Sequence, residues 1–277
     1  MSTAPHLTLN NGIEIPQLGF GVFQVPEDQT KQAVLTALDT GYRHVDTAMV
    51  YGNEVPVGEA VRESGLDRDA VFVTTKLWNS DQGYDSTLRA FDASMGRLGF
   101  DVLDLYLIHW PTPSRDLYLD TWRAMEKLYV DGRIRAIGVS NFQPDHLRRL
   151  CDRSEVVPVI NQVELHPYLQ QAEVRRTNEE LGVLTEAWSP IAQGGRLLED
   201  EVVTSLADKH GRTPAQVVLR WHLELGNVVV PKSVTPSRIS ENADLFDFSL
   251  DEEDMTAFGK LDRGERTGPD PDLLTGD

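Results

Sequence analysis

The chain has 277 residues, 40% of them hydrophobic and 25% charged, with a formal net charge of −18. The composition is ordinary for a folded globular protein, and the acidity argues against nucleic acid and anionic membrane surfaces as partners, since both need a basic face. No apolar run approaches the ~20 residues of a membrane helix, the short polar stretch Met1–Asn10 does not read as a leader peptide, and the lone Cys151 leaves no internal disulfide or cysteine-rich metal site, so a reduced, soluble, cytoplasmic protein is expected.

In chain order, Leu7–Leu9, Asn10-Asn11-Gly12 and Ile13–Ile15 read as a small hairpin, the Asn-Gly step supplying the positive φ angles of a tight turn. It precedes the main pattern as a cap. Short apolar runs then alternate with amphipathic helical segments. The strands are expected at Phe20–Val22, His44–Asp46, Val71–Lys76, Leu103–His109, Ile134–Ser140, Val159–Val163, Leu184–Ala187 and Val228–Pro231. Helices are expected at Thr30–Thr40, Val55–Ser64, Tyr84–Leu98, Asp120–Val130, Pro144–Asp152, Ala172–Leu181, Pro214–Leu225 and Thr235–Leu245. Val202–Lys209 and Asp251–Leu261 read as two extra helices, and Asp262–Asp277 as a loop. Cys151, inside a helical pattern, is expected to be a buried, inert thiol.

Local signals support the helices. Thr213-Pro214 places a capping residue before proline at the first helical position. Gly41, Gly65, Gly99, Gly132, Gly182 and Gly226 each follow a helical run, where a left-handed residue is wanted. Alternating β and α segments in this number give a parallel sheet, and eight repeats favour a closed barrel. The open alternative needs a Gly-rich turn after its first strand, which Gly21-Val22-Phe23-Gln24-Val25 lacks. The expectation is an α/β fold, a (β/α)8 TIM barrel with an N-terminal β-hairpin cap and two extra helices, as one domain over residues 1–277.

Polar residues mark the places where the apolar runs stop: Asp46 with Tyr51 beyond it, Lys76, His109, Ser140-Asn141, Gln162 and Glu164, Trp188-Ser189, and Lys232-Ser233. In a barrel these ends share one rim, where barrel active sites sit. Taken singly, Asp46 and Lys76 would be a structural ion pair, Tyr51 a turn residue and His109 a core histidine. Together they form a device. The carboxylate offsets the cost of burying the lysine, the ammonium is expected to lower the phenol pKa of Tyr51, and a phenol so tuned is a usable general acid. His109 can orient a substrate oxygen. Such a set protonates an oxygen on which negative charge develops, as carbonyl reduction by hydride requires.

The hydride needs a carrier. Lys232-Ser233, with Arg238 and Asn242 at helical spacing, makes the cationic cluster that an acidic chain needs in order to hold an anionic cofactor. A lysine, an arginine, a hydroxyl and a helix N-terminus suit a phosphate monoester, the group that distinguishes NADPH from NADH. Trp188 can stack on a flat ring.

These motifs resemble those of the aldo-keto reductases over Leu7 to about Asp262, closest to the short prokaryotic 2,5-diketo-D-gluconate reductase-like members. Gly41-Tyr42-Arg43-His44-Val45-Asp46-Thr47-Ala48 with Tyr51-Gly52-Asn53-Glu54 is similar to one signature, and Asp104-Leu105-Tyr106-Leu107-Ile108-His109-Trp110-Pro111 to a second. Gly138-Val139-Ser140-Asn141-Phe142, Asn161-Gln162-Val163-Glu164-Leu165-His166-Pro167 and Val230-Pro231-Lys232-Ser233 complete the likeness. The resemblance implies NADPH-dependent reduction of small aldehydes, ketones, dicarbonyls or keto-sugars, with a tetrad of Asp46, Tyr51, Lys76 and His109 and Tyr51 as proton donor. It implies that Ser140, Asn141 and Gln162 hold the carboxamide and that Trp188 stacks on the nicotinamide. Ser189, Ile191, Gln193 and Gly194 would follow the pyrophosphate. Lys232, Ser233, Val234, Arg238, Glu241 and Asn242 would surround the adenosine phosphate. Phe23, Val50, Trp78, Trp110 and the loop near Arg196-Leu197 would line the substrate pocket. A monomer without an obligate protein partner, and without a metal, is the family expectation.

Three other readings use the same strand ends. Lys76 could serve a Schiff-base lyase, although Asp46 would keep it protonated. His44 and Asp46, which share a strand face, could join His109 in a metal-dependent hydrolase that gives Tyr51 and Lys76 no role. A nucleotide sensor on the same fold would bind the cofactor without turnover.

Overall fold

The apolar runs become parallel strands, because each is flanked by a helix that covers it from outside. The computed structural model describes residues 4–275. Residues 1–3 and 276–277, the outer ends of the expected domain and part of the stretch read as lacking a leader, lie outside the described residues. A hairpin of β1 (His6–Thr8) and β2 (Glu14–Pro16) comes first, with Leu7 opposite Ile15. Eight parallel strands follow: β3 (Phe20–Gly21), β4 (His44–Asp46), β5 (Phe72–Leu77), β6 (Leu103–Ile108), β7 (Ile134–Ser140), β8 (Ile160–Glu164), β9 (Leu184–Trp188) and β10 (Val228–Val229). Each strand pairs with its sequence neighbour. The sheet then closes on itself: the Gly19 N–H donates to the Val229 carbonyl at 2.8 Å, and the Val229 N–H donates to the Gln17 carbonyl at 3.0 Å. The fold is thus an α/β TIM barrel.

The covering helices are α1 (Glu27–Thr40), α2 (Glu54–Glu63), α3 (Tyr84–Leu98), α4 (Tyr118–Val130), α5 (Pro144–Cys151), α6 (Ala172–Glu180), α8 (Pro214–Glu224) and α9 (Pro236–Ala243). The two extra ones are α7 (Glu201–His210) before α8 and α10 (Glu252–Gly259) at the end. Most boundaries lie within two residues of those read from the pattern, the ordinary spread of helix and strand ends. The start of α1 is earlier than expected, because Pro26 and the acidic Glu27 and Asp28 suit a helix N-terminus. All six glycines expected to end helices have positive φ. At Gly41 (φ 111°), the amide turns back to the Leu38 carbonyl. Thr213 and Gln216 form a reciprocal cap at the start of α8.

The hairpin closes one end of the barrel. Leu9 and Ile15 pack with Phe72, Leu105, Ala136, Ile160 and Val228, most of which sit near the N-terminal ends of their strands. Asn10 and Asn11 fasten it by donating to the carbonyls of Pro158, Gly182 and Arg135, on the chain entering strands β7 to β9. The opposite rim, at the strand C-termini, stays open. Cys151 is half-buried rather than buried, and burial pushes its thiol up to about 11, so it is inert at neutral pH.

One close approach sets the spacing of the helical layer. A Cβ on Gly58 in α2 would overlap the carbonyl of Leu98 at the end of α3. Gly58→Ala is therefore expected to lower the melting temperature by about 5 °C or more, read by circular dichroism. An unchanged melting curve would show that α2 and α3 can separate without cost.

Candidate active site

Strand β4 is only three residues long and stops at Asp46. The turn that follows is pinned from below. Thr47 Oγ1 donates to Asn53 Oδ1 at 2.7 Å, and Asn53 Nδ2 donates to the Val22 carbonyl at 3.0 Å. This swings Tyr51 back over the barrel mouth. There the fully buried Lys76, rising from β5, meets it. Lys76 Nζ lies 2.7 and 2.8 Å from the two Asp46 carboxylate oxygens, donates to the Thr47 carbonyl at 2.9 Å and reaches Tyr51 Oη at 3.5 Å.

Three groups respond to this burial. Burial alone would lower Lys76, but Asp46, Tyr51 and Glu186 raise it, so it stays an ammonium. That, with its donors committed to neighbours, leaves no nucleophilic amine for a Schiff base. Burial raises Tyr51, and Lys76 offsets only part of the rise. The sequence-based expectation of a lowered phenol pKa is thus overturned: proximity to the cation is visible in the sequence, desolvation is not. His109 at the end of β6 is pushed well below its ordinary value by burial and by Lys76, so it is a neutral imidazole. Its ring meets those of Tyr51 and Trp78 edge-on, with centroids 5.8 and 5.2 Å away.

Below the mouth lies a polar layer in which the sequence reading singled out Gln162 and His44 but not Glu186. Gln162 in β8 donates from Nε2 to Asp46 Oδ2 and to Glu186 Oε2, both at 2.9 Å. Glu186 is fully buried in β9. Burial, then Asp46, pushes its carboxyl up to about 8. Its signal in the sequence is one carboxylate inside the run Leu184–Ala187, where a strand facing an apolar core has none. His44 is fully buried, bonds to Thr74 Oγ1 at 3.1 Å and is pushed down to about 4 by burial. Among the described residues, no three His, Cys, Asp or Glu side chains converge as a metal cage.

On the far side of the mouth lie the C-terminal ends of β7 to β10, with α9 following the last of them. Asn141 adopts φ 64° where β7 ends. Its side chain is used within the protein: Nδ2 donates to the His109 carbonyl at 2.9 Å, and Oδ1 accepts from Trp188 Nε1 at 2.8 Å. Ser140 Oγ donates to the Gln162 carbonyl at 2.7 Å. These bonds hold Trp188 half-buried. After it, Ser189, Ala192, Gln193, Gly194 and Gly195 all have positive φ, a backbone form suited to an anion, within which the Ala192 and Gly194 N–H groups donate to the Ser189 and Ile191 carbonyls. Ile191 between them is half-buried against the core. Beyond β10, Lys232, Val234, Arg238 and Glu241 are exposed, while Ser233 and Asn242 are buried. Among the described residues, Lys232 and Arg238 are not paired with a carboxylate, whereas Arg212 and Arg220 nearby are.

The wall over the tetrad is aromatic. Phe23, half exposed, lies 5.0 Å from the Tyr51 ring, and Trp110 lies between His109 and Trp188. Val50 is exposed at the rim. Leu197 does not line this wall: it is buried in the core, and only Arg196 faces outward. The segment after α10 also reaches the site, which sequence reasoning missed. Glu164, at the end of β8, accepts from the Thr267 amide and hydroxyl at 2.5 and 2.6 Å and from the Gly268 amide at 3.1 Å. Arg196 pairs with Glu265 of the same segment at 2.8 Å. A Cβ on Gly268 would lie 2.5 Å from Trp188 Cη2.

Known proteins share this arrangement of chain. The aldo/keto reductase family model matches residues 17–263. The chain is 52% identical to the glyoxal reductase of Bacillus subtilis, covering 96% of each protein. It is 47% identical to the methylglyoxal reductase DkgA of Escherichia coli, covering 100% of each. Among solved structures, a Gox0644 variant in complex with NADPH matches with a TM-score of 0.94 at 47% identity, over 99% of each chain.

The contact of Gly268 with Trp188 can be tested. Gly268→Val is expected to displace the indole, changing near-ultraviolet dichroism but not far-ultraviolet dichroism, and to weaken NADPH binding several-fold. Unaltered binding would show that the tail leaves the ring's position to Asn141 alone.

Proposed function

The chain belongs to the aldo/keto reductase family, and from that premise we propose that Tyr51 is the proton donor in its reduction of small aldehydes, ketones, dicarbonyls and keto-sugars. It is an NADPH-dependent oxidoreductase acting on carbonyl compounds. The relatives named for glyoxal and methylglyoxal favour short dicarbonyls among these substrates.

One observation carries the reading of Tyr51: its phenol stands 3.5 Å from an ammonium that a carboxylate keeps charged, beside a neutral imidazole at the barrel mouth. When bound, the reduced nicotinamide supplies the hydride. Tyr51, its pKa raised, holds its proton until negative charge develops on the substrate oxygen, and then gives it up. Lys76 stabilises the phenolate left behind, and Asp46 keeps Lys76 charged and aimed. His109, neutral, donates one N–H to the carbonyl oxygen and orients it. Phe23, Val50, Trp78 and Trp110 exclude water around it.

The residues that follow β7 to β10 fit the cofactor. Gln162 leaves its side-chain carbonyl for the carboxamide, with Ser140 and Asn141 beside it, and Trp188 offers a half-exposed ring face. The turn through Ser189, Ile191, Gln193 and Gly194 would follow the pyrophosphate on a positive-φ backbone suited to an anion, with the Gly194 N–H already donating to the Ile191 carbonyl. Lys232, Ser233, Val234, Arg238, Glu241 and Asn242 would take the adenosine phosphate, with the two cations supplying the charge that the acidic surface withholds. The working form proposed is a single-domain cytoplasmic monomer over residues 1–277, needing no protein partner, nucleic acid or membrane. In support, no helix among the described residues is long and apolar enough to cross a membrane.

Tyr51→Phe is expected to keep NADPH affinity within about threefold and to lower kcat with methylglyoxal by about a hundredfold or more, read from the loss of nicotinamide absorbance. Retained turnover would remove Tyr51 from the role. Lys232→Ala and Arg238→Ala should each raise the KM for NADPH about tenfold or more while changing that for NADH little. Equal effects on both cofactors would place the phosphate elsewhere.

A further inference from the structure

Glu186 lies outside the tetrad but directly under it. Its Oε2 accepts from Gln162 Nε2, while its Oε1 has no hydrogen-bond partner and lies 3.8 Å from His44 Nε2. The second hydrogen of Gln162 Nε2 goes to Asp46. A glutamine amide has two N–H donors and one carbonyl acceptor. Asp46 takes one donor, and the Glu186 oxygen that carries no proton, Oε2, takes the other; a turned-over amide would set its own oxygen against both of these acceptor oxygens. Its carbonyl oxygen is therefore the atom left for a ligand.

Charge adds a second constraint. The groups facing Glu186 are His44 and Asp46 on β4, Lys76 on β5, Gln162 on β8 and, above them, Tyr51; β10 brings only the apolar Val228 alongside. Lys76 is the one cation among them, since burial keeps His44 neutral. One ammonium offsets one carboxylate, and a second ionised carboxyl would be buried uncompensated. Asp46, bonded through both oxygens to Lys76, is the ionised one. Glu186 accordingly keeps its proton.

We propose that Glu186 is a positioning residue: through Gln162 it fixes which amide atom meets the nicotinamide carboxamide, and its proton keeps the charge beneath Lys76 and Tyr51 balanced. The proposal rests on the reading of Gln162 as a carboxamide ligand and of Tyr51 as proton donor. Ionising Glu186 adds one negative charge next to the relay. Both Lys76 and Tyr51 feel it in the same sense, held more tightly to their protons. Tyr51 then becomes the weaker acid, and reduction slows as pH rises past the point where Glu186 ionises, near pH 8.

The test compares wild type, Glu186→Gln, Glu186→Leu and Gln162→Ala, with methylglyoxal reduction followed between about pH 6 and 10 and NADPH affinity measured by fluorescence. In wild type kcat/KM should fall up to about tenfold per pH unit above the Glu186 ionisation. Glu186→Gln keeps the acceptor but cannot ionise. It should lose that inflection while binding NADPH within about twofold of wild type. Glu186→Leu leaves one Gln162 N–H unpartnered and should weaken NADPH binding about tenfold. The same alkaline inflection in wild type and Glu186→Gln would overturn the proposal. So would full affinity in Glu186→Leu beside weakened affinity in Gln162→Ala. Full affinity in Gln162→Ala would instead overturn the reading of Gln162 on which the proposal stands. Should Glu186→Leu fail to fold, the pH profile of Glu186→Gln decides alone.

Discussion

One buried ammonium organises the barrel mouth. Lys76 has no exposed surface, and a lone charge at such depth costs several kcal/mol. Everything around it answers that cost. Asp46 supplies the counter-charge through both oxygens, the Thr47 carbonyl takes a further hydrogen, and the turn held by Asn53 brings Tyr51 to the ammonium's remaining side. The same charge adds to the burial that depresses His109, and it sets the count of carboxylates that can ionise beneath it. A rim residue therefore cannot change its protonation without the others registering it.

Much of this was legible in the sequence because its signals are local. A glycine after a helix, Thr213 before Pro214, and an apolar run between two helical patterns each act within a few residues, so strand order and barrel closure could be read in advance. The convergence of Asp46, Tyr51, Lys76 and His109 was legible for a related reason: in a parallel barrel every strand end faces the same rim, so a polar residue there has a known address before any contact is seen. What escaped reading depends on depth and on distance. The lowering expected for Tyr51 failed because desolvation outweighs the neighbouring cation. Glu186 passed as one letter in an apolar strand, since only the closed barrel shows that it shares Gln162 with Asp46. The bonds of Asn141 to the His109 carbonyl and to Trp188 Nε1 were also out of reach, since they join strand ends that only the closed barrel brings together.

The charge distribution follows the same logic on a larger scale. A chain with a net charge of −18 repels a polyphosphate at long range. Arg212 and Arg220 are engaged with Asp244, Asp247 and Glu224, so they offer little to a ligand. Lys232 and Arg238 stand out against this background because they are exposed and unengaged among the described residues. Screening by salt weakens the general repulsion, while short charge-assisted bonds at such a pair persist.

The bonds between Glu164 and residues Thr267 and Gly268 have a consequence for how the protein comes into being. A ribosome delivers the chain from its N-terminus, and domains fold as their last necessary segment emerges. Strand β3 cannot complete its ladder until β10 has been made, and the segment that packs on Trp188 is made later still. The tetrad residues Asp46, Tyr51, Lys76 and His109 are all synthesised in the first half of the chain, but the surface against which a dinucleotide would stack is finished only near its end. A nascent or prematurely terminated polypeptide would carry the proposed acid and its neighbours with no completed place for the reductant, so on that reading chemical competence arrives after the barrel has closed.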